Sequence, residues 1–524
     1  MVKLNIKAPK LSLGGATKVV AQPKFKITPV TAVVTGNVLA QYTIDQALVV
    51  IAEEKGRGKY IVSEPPLSEE EQEVYSLIME SLYYSLKPIA EISDPMKYIE
   101  QYIWSAAEEL GIMEQVQKAF PKYRYYIARD AIGYGKINVP MNDPDVEEVS
   151  CEGYGRPVAI MHRKFSGFDW MDTDIKFESE DELRLFVQKL TQRMGKSVTT
   201  ATPAIDLVDA EGNRIAVTFG TEVSLPGSSF DVRRFLQTPL TIADMIAQGV
   251  FTPLMGAYYW LLIENKAFIL ITGVMGSGKT TLINVFGTLI PPNQKIVTVE
   301  ETPEIRLPQT HWQRFKTRPG EGEYSIDLFA LVKHALRYMP NYIIVGEVRG
   351  EEANTLIQAA GVGTGAITSF HADSPEAALV RLRAPPMNIS EGGISLITNI
   401  LTITRLKSQG GLAIRRIVHD AEVFPAIKPT KDGGSALVNE LYDIFKYDVR
   451  NDTYYPQTAH EVVEKSKRIQ ALQDRLGMTK EELEVELEKR AEFLAQLVKD
   501  NKFSYSEVSE ALMNYYSEKY GGGD

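Results

Sequence analysis

The chain almost lacks cysteine, with Cys151 the single one in 524 residues. An intrachain disulfide is therefore excluded, and the composition fits a reducing cytoplasm better than a disulfide-stapled secreted fold. No apolar run approaches the roughly 18 residues that span a bilayer, and the first residues lack the apolar centre of a signal peptide. Any membrane association is thus expected to be peripheral. Positive charge is also short: Lys and Arg total 57 against 68 Asp and Glu, a net charge of -11. That balance argues against a dedicated nucleic-acid binder, whose affinity comes mainly from neutralising phosphates. Long-period internal repeats are missing too. What is present is length, since 524 residues exceed what one core normally organises and imply two or three domains.

One region reverses the charge balance. Residues 1–44 carry Lys3, Lys7, Lys10, Lys18, Lys24 and Lys26 and no acid before Asp45, together with Pro9, Gly14, Gly15, Pro23 and Pro29. This reads as a flexible basic arm: either a tether to anionic lipid or an acidic partner, where each Lys contributes about 1 kcal/mol, or a solvated terminus. Helical spacing over 68–86 and 95–110 marks residues 45–120 as a small helical subdomain, the first helix opening with Ser68 and a run of glutamates. Residues 121–236 hold short β-compatible runs (123–128, 146–151, 157–162, 214–219, 228–234) and one helix over 181–194, an α+β domain. Across 237–457, apolar strands at 268–272, 296–299, 342–345 and 366–369 alternate with helical stretches, the pattern of a doubly wound, mainly parallel α/β sheet. Residues 458–524 read as a helical extension, with Thr479 and Glu482 placed for a capping box and Leu483, Leu487, Leu494 and Leu497 at helical spacing.

The most specific signal is Gly273-Val274-Met275-Gly276-Ser277-Gly278-Lys279-Thr280, which matches G-x-x-x-x-G-K-[ST] and is followed by Thr281. Glycines let backbone N–H groups curl round phosphates, Lys279 reaches the β and γ positions, and Thr280 offers a hydroxyl to Mg²⁺. The loop opens a helix, whose N-terminus favours anions. A phosphate loop alone cannot hydrolyse ATP; a metal must be held and a water placed. Two carboxylates end apolar strands behind the loop: Glu300, followed by Glu301, Thr302 and Glu304, and Glu347. His371 ends a third such strand and is placed to sense the γ-phosphate. Charge developing on a transferred phosphoryl group calls for arginine, and Arg306, Arg314, Arg318 and Arg337 lie between the two glutamate strands. Arg349, two residues from Glu347, is read as its ion-pair partner.

Taken together these motifs resemble one family, the secretion-type ATPases of type II and type IV secretion, type IV pili and the archaeal archaellum. The phosphate loop (Walker A), the acidic segment Val299-Glu300-Glu301-Thr302-Pro303-Glu304, the Walker B stretch Ile344-Val345-Gly346-Glu347-Val348-Arg349-Gly350 and the box around His371 stand in that family's order. The preceding domain resembles the archaeal branch through Arg129-Asp130-Ala131-Ile132-Gly133-Tyr134-Gly135-Lys136-Ile137, Asp145 to Gly153, and Gly220 to Ser224 with Gly227 to Phe230. Likeness spans about residues 123–419. It departs from relatives in carrying Glu301 where Asp is usual, and, like the family, has Gly346 where many phosphate-loop ATPases bind Mg²⁺ with an acid.

This resemblance implies a RecA-like ATPase domain behind an α+β N-terminal domain, with ATP and Mg²⁺ as cofactors. It implies Glu300 as the group that polarises water, Glu347 near the metal, directly or through water, and Glu301 as a further carboxylate there. Arg233, Arg234 and Arg214 of the first domain join Arg306, Arg318 and Arg337 as candidate arginine fingers. Expected partners are further copies of the chain in a hexamer, a polytopic membrane platform protein and accessory motor proteins at the cytoplasmic membrane face, without nucleic acid. Within the archaeal branch the archaellum motor is favoured. The alternatives are an archaeal type IV pilus ATPase and, from another class, a nucleic-acid translocase.

Overall fold

A computed structural model of the protein describes residues 30, 34–85, 94–235, 238–318, 325–407, 413–429 and 434–521. Most of the basic arm, residues 1–29 and 31–33, lies outside the described residues. Nine strands make a first sheet: β1 (Asn37–Ile44), β2 (Ala47–Glu54), β3 (Arg57–Ser63), β4 (Val146–Cys151), β5 (Pro157–His162), β6 (Trp170–Lys176), β7 (Ala204–Val208), β8 (Arg214–Thr218) and β9 (Ser229–Arg233), in the order β1-β2-β3-β6-β5-β4-β9-β8-β7. The chain divides into two compact units, residues 1–160, 171–203 and 218–230 in one and residues 161–170, 204–217 and 231–524 in the other.

In the first unit the helices expected over 68–86 and 95–110 are Glu69–Ser85 and Pro95–Leu110. Two expectations need correction. Residues 37–63 are not helical or arm-like but an antiparallel meander, because Lys55-Gly56 both take positive φ (53° and 78°) and join Glu54 to its partner Arg57 by a two-residue hairpin turn. Residues 123–128 are not a strand but part of the helix Met113–Ala131, whose Tyr123, Tyr126 and Ile127 fall on one buried face at helical spacing. Arg129, at the end of that helix, is buried and pairs with Glu64 at 2.6 Å and Asp130 at 2.8 Å. Glu64 also accepts from the backbone N–H of Val30 at 2.9 Å, which fixes the described point nearest the arm.

The second sheet comprises β10 (Phe268–Thr272), β11 (Ile296–Glu300), β12 (Trp312–Lys316), β13 (Tyr342–Val345), β14 (Gly365–Phe370), β15 (Asn399–Lys407), β16 (Ala413–Pro429), β17 (Ser435–Asp448) and β18 (Thr453–Tyr455). Its order is β12-β11-β13-β14-β10-β15-β16-β17-β18. Pairing is parallel from β12 to β15 and antiparallel from β15 to β18. The four expected strands are buried along their whole length, as strands covered on both faces must be. Parallel pairing sets the carboxyl ends of β10, β11, β13 and β14 along one edge.

The helix Pro253–Glu264 is apolar all round and buried from Leu254 to Ile263. Its outer side meets the C-terminal helices Lys480–Lys499 and Tyr505–Gly521, where the Trp260 indole donates to the Tyr516 hydroxyl at 2.7 Å and Arg490, fully buried, pairs with Glu264. Burying each of the leucines Leu483, Leu487, Leu494 and Leu497 of the first of these helices contributes about 1.5–3 kcal/mol. The extension is thus part of the core behind the second sheet, with its expected capping box at Thr479 and Glu482 formed.

A polar network crosses that core. Asp420 of β16 accepts from Tyr259 at 2.5 Å and Asn399 at 2.7 Å, and Glu422 accepts from Tyr258 at 2.9 Å and from Ser466. Burial pushes the Asp420 carboxyl up to about 7, against the pull of those hydrogen bonds. A carboxyl raised on folding stabilises fully below its unfolded value and loses that contribution as pH rises through its folded value. Asp420→Asn is expected to flatten the fall in Tm between about pH 4, near the unfolded value, and about pH 7. An unchanged Tm profile in thermal melts would refute this assignment.

Candidate active site

The loop between β10 and the helix Lys279–Thr288 is built for an anion. Gly273 has φ 154°, and a Cβ there would lie 2.4 Å from the Ile403 carbonyl oxygen and 2.6 Å from Ser277 Oγ. Gly278 has φ 105° as the residue before the helix. The Ser277 hydroxyl is fully buried and has no hydrogen-bond partner among the described residues. Lys279 is 8% exposed and donates from Nζ to the carbonyls of Gly273 at 2.9 Å and Val274 at 3.0 Å. Thr280 and Thr281, in the first helical turn, are part-exposed. Backbone donors at a helix start, an orphaned hydroxyl and an ammonium held by neutral acceptors suit a triphosphate.

Lys279 is joined to two of the expected residues. His371, directly after β14, faces Lys279 Nζ with Nδ1 at 3.3 Å and Glu347 Oε1 with Nε2 at 3.0 Å. Burial, then the Lys279 charge, lowers the imidazole below its ordinary value, so the ring is neutral near pH 7. Its Nδ1 lone pair then accepts from the ammonium while Nε2–H donates to the carboxylate. Glu347 follows β13 and is gripped by Arg349, Nε at 2.8 Å and Nη2 at 3.1 Å. Burial opposes ionisation of Glu347, but Arg349, then His371 and Lys279, hold its carboxyl below the usual range. An ionised Glu347 and the Thr280 hydroxyl are the donor set that fits Mg²⁺, a hard cation taking oxygen ligands.

Glu300 ends β11, next to β13 in the sheet. It is 3% exposed, and its Oε1 accepts from the backbone N–H of Glu304 at 2.7 Å and of Ile305 at 2.9 Å. Burial pushes its carboxyl up to about 7, further than the two N–H groups pull it down. Gly346 has a structural reason: a Cβ there would already touch Glu300 Cγ at 3.5 Å, so an acid would set a second carboxylate against it.

A sequence profile described as Type II/IV secretion system protein matches residues 171–435. The uncharacterized protein MJ0900 of Methanocaldococcus jannaschii is 30% identical over 492 residues, covering 89% of this chain and 86% of that one. This chain belongs to the type II/IV secretion system protein family. The type IV secretion system protein PtlH of Bordetella pertussis is 40% identical over 126 residues, 23% of this chain and 37% of its own. Among solved structures, the ATPase DotB of Legionella pneumophila is 15% identical with a TM-score of 0.38, covering 71% of this chain and 93% of that one. The fold of this family member is a RecA-like domain with an N-terminal α+β domain.

The remaining expected residues of this secretion-family site are scattered. Glu301 is exposed, 3.9 Å from Arg349. Arg214 pairs with Glu304 at 2.8 Å, and Arg306 stacks over Phe235 at 5.1 Å. The charge of Arg233 acts on Lys279, and that of Arg314 on Glu300. Arg234 follows β9, Arg318 is exposed where it bridges Ile326, and Arg337 is exposed in the turn Leu336–Tyr338. Three positions were not legible in advance. Glu352 is buried and accepts from the N–H groups of Arg349 at 2.5 Å and Gly350 at 2.7 Å, shaping the turn after Glu347. Ser369 donates to the Gly346 carbonyl at 2.7 Å. Asn284, one turn beyond Thr280, is the third; only its i,i+4 spacing from the loop threonine signals it.

No helix among the described residues is long and apolar enough to cross a membrane.

Proposed function

We propose that this chain hydrolyses ATP with Mg²⁺ and that closure of its domains over the nucleotide drives a surface filament, the archaellum, through a membrane platform protein. The observation that carries the reading is the run Lys279, His371, Glu347 at hydrogen-bond distances, with Glu300 on the neighbouring strand end. Lys279 exchanges loop carbonyls for phosphate oxygens. Glu300, as carboxylate, takes the proton from a water whose oxygen bonds phosphorus as the bridging P–O bond breaks. Thr280 and Glu347 would hold Mg²⁺, which would supply charge neutralisation on the phosphates. Arg214, Arg233, Arg234, Arg306, Arg318 and Arg337 are the pool for a finger given by a neighbouring copy in a hexamer. Membership of the secretion family, with a relative aligned over 89% of this chain, supports this reading.

Phosphate release by the purified chain tests the hydrolysis, and inactivity with Mg·ATP rejects it. In cells, loss of swimming on deletion supports the archaellum; loss of pili with swimming retained selects pilus assembly. The six lysines before Val30 are proposed to tether the chain to anionic lipid, each adding about 1 kcal/mol. Removing residues 1–29 spares the Val30 to Glu64 contact, and is expected to abolish salt-sensitive co-sedimentation with phosphatidylserine vesicles while leaving turnover in place. Unchanged co-sedimentation rejects the tether.

A further inference from the structure

Residues 304–306 run past the active site as a strap with its backbone groups taken by side chains from three directions. From β11, the Glu300 carboxylate accepts the N–H groups of Glu304 and Ile305. From the phosphate-loop helix, Asn284 Oδ1 accepts the N–H of Arg306 at 2.7 Å and Asn284 Nδ2 donates to the Glu304 carbonyl at 3.3 Å. From the C-terminal extension, the Tyr505 hydroxyl donates to the Arg306 carbonyl at 2.8 Å. Asn284 Nδ2 also lies 3.2 Å from the Thr280 carbonyl, one turn back on its own helix. The amide is 7% exposed, and the Arg306 N–H fixes which of its ends is oxygen.

We infer that Asn284 is a positioning residue: it ties the turn carrying Thr280 to the strap that aims Glu300, so that the phosphate-binding and water-activating halves of the site keep one register. The inference rests on the hydrolytic reading above. Glu300 uses Oε1 to hold the strap, so the line of its other oxygen depends on where residues 304 and 305 stand. Asn284 is the only link among the described residues that reaches both this strap and the loop threonine. Asn284→Ala frees the strap from the helix but leaves Lys279, Ser277 and the loop glycines untouched. Tyr505→Phe removes a single hydroxyl from the strap's far side, and sets the C-terminal helices as a second, weaker fastening.

The test is steady-state phosphate release combined with equilibrium binding of fluorescent ADP, on the full chain and on Asn284→Ala, Tyr505→Phe and the double variant. A sub-ångström to ångström shift of a catalytic group costs about 10- to 100-fold in rate. Asn284→Ala is expected to lower kcat in that range with ADP affinity and stoichiometry within about twofold of the parent. Tyr505→Phe is expected to lower kcat about threefold, and to add little in the double variant because the two act on one strap. Parental kcat in Asn284→Ala, a loss of ADP stoichiometry matching the loss of rate, or full additivity of the two substitutions would each overturn the positioning role. An inactive parent chain would overturn the hydrolytic reading first, and this inference with it. Tyr505→Phe, which keeps its ring packing, carries the additivity test and the rate test alike should Asn284→Ala fail to fold: parental kcat in Tyr505→Phe then overturns the strap.

Discussion

Lys279→Ala is expected to lower kcat/KM for ATP by about a thousandfold or more, the scale of losing a preorganised charge at the reacting phosphate. Its ammonium is turned inward onto the carbonyls of Gly273 and Val274, with His371 Nδ1 as the third neighbour. Burial, with Arg233 and Arg349, lowers its pKa, and Glu347 works against that fall. Those carbonyls are weaker partners for a cation than phosphate oxygens, so the side chain is poised to exchange them. Alanine removes the charge and leaves His371 without its donor, yet the helix start and the glycine turns remain. Phosphate release and nucleotide affinity should therefore fall together while Tm changes little. Retained turnover would show that the loop is not the phosphate site.

Glu300→Gln is expected to reduce kcat about 100- to 10,000-fold, the range assigned to a positioned general base, with nucleotide affinity preserved. Glutamine keeps an oxygen to accept the Glu304 and Ile305 N–H groups, so the strap stays in place and only proton acceptance is lost. The parent chain supplies a second readout. Burial pushes the Glu300 carboxyl up to about 7, and the form that takes a proton is the ionised one above that value. In the parent, kcat/KM is therefore expected to rise with pH and level off above about 7, since this ratio reports the free enzyme's groups. Below that value activity should fall about tenfold per pH unit. The residual activity of Glu300→Gln should lack this acid limb. A parent profile flat from pH 6 to 8, or a variant as fast as the parent, would remove Glu300 from the chemistry.

Legibility followed physical chemistry. The phosphate loop and the strands ending at Glu300, Glu347 and His371 could be read because buried parallel strands are unbroken apolar runs, and because a phosphate cradle demands glycine and lysine at fixed offsets. The antiparallel half of the same sheet was not read. β16 and β17 lack a strict polar/apolar alternation and carry Arg415, Arg416, Lys428 and Lys446, so their hydropathy gives no strand period. Their strand state comes from pairing partners, such as Glu422 opposite Tyr442, rather than from local preference. The meander at 37–63 turned on Lys55-Gly56, a hairpin signal weaker than Asn-Gly. Tyr123 to Ala128 misled because aromatic and β-branched residues favour strands on average, while here their spacing served a helix face. Glu352 has no sequence signal and Asn284 only its spacing from Thr280, because a single polar residue on a helix looks alike whether it faces solvent or holds a loop.

In the proposed mechanism, side chains from four neighbouring strand ends serve one triphosphate. That mechanism is tested most directly by a crystal structure of the full chain with Mg²⁺ and a non-hydrolysable ATP analogue. Lys279 Nζ is expected to have moved from the Gly273 and Val274 carbonyls to β and γ oxygens, with His371, Glu347 and Glu300 lining the γ-phosphate. An analogue bound elsewhere, with Lys279 still on its loop carbonyls and Glu300 shut away from the phosphorus, would contradict it.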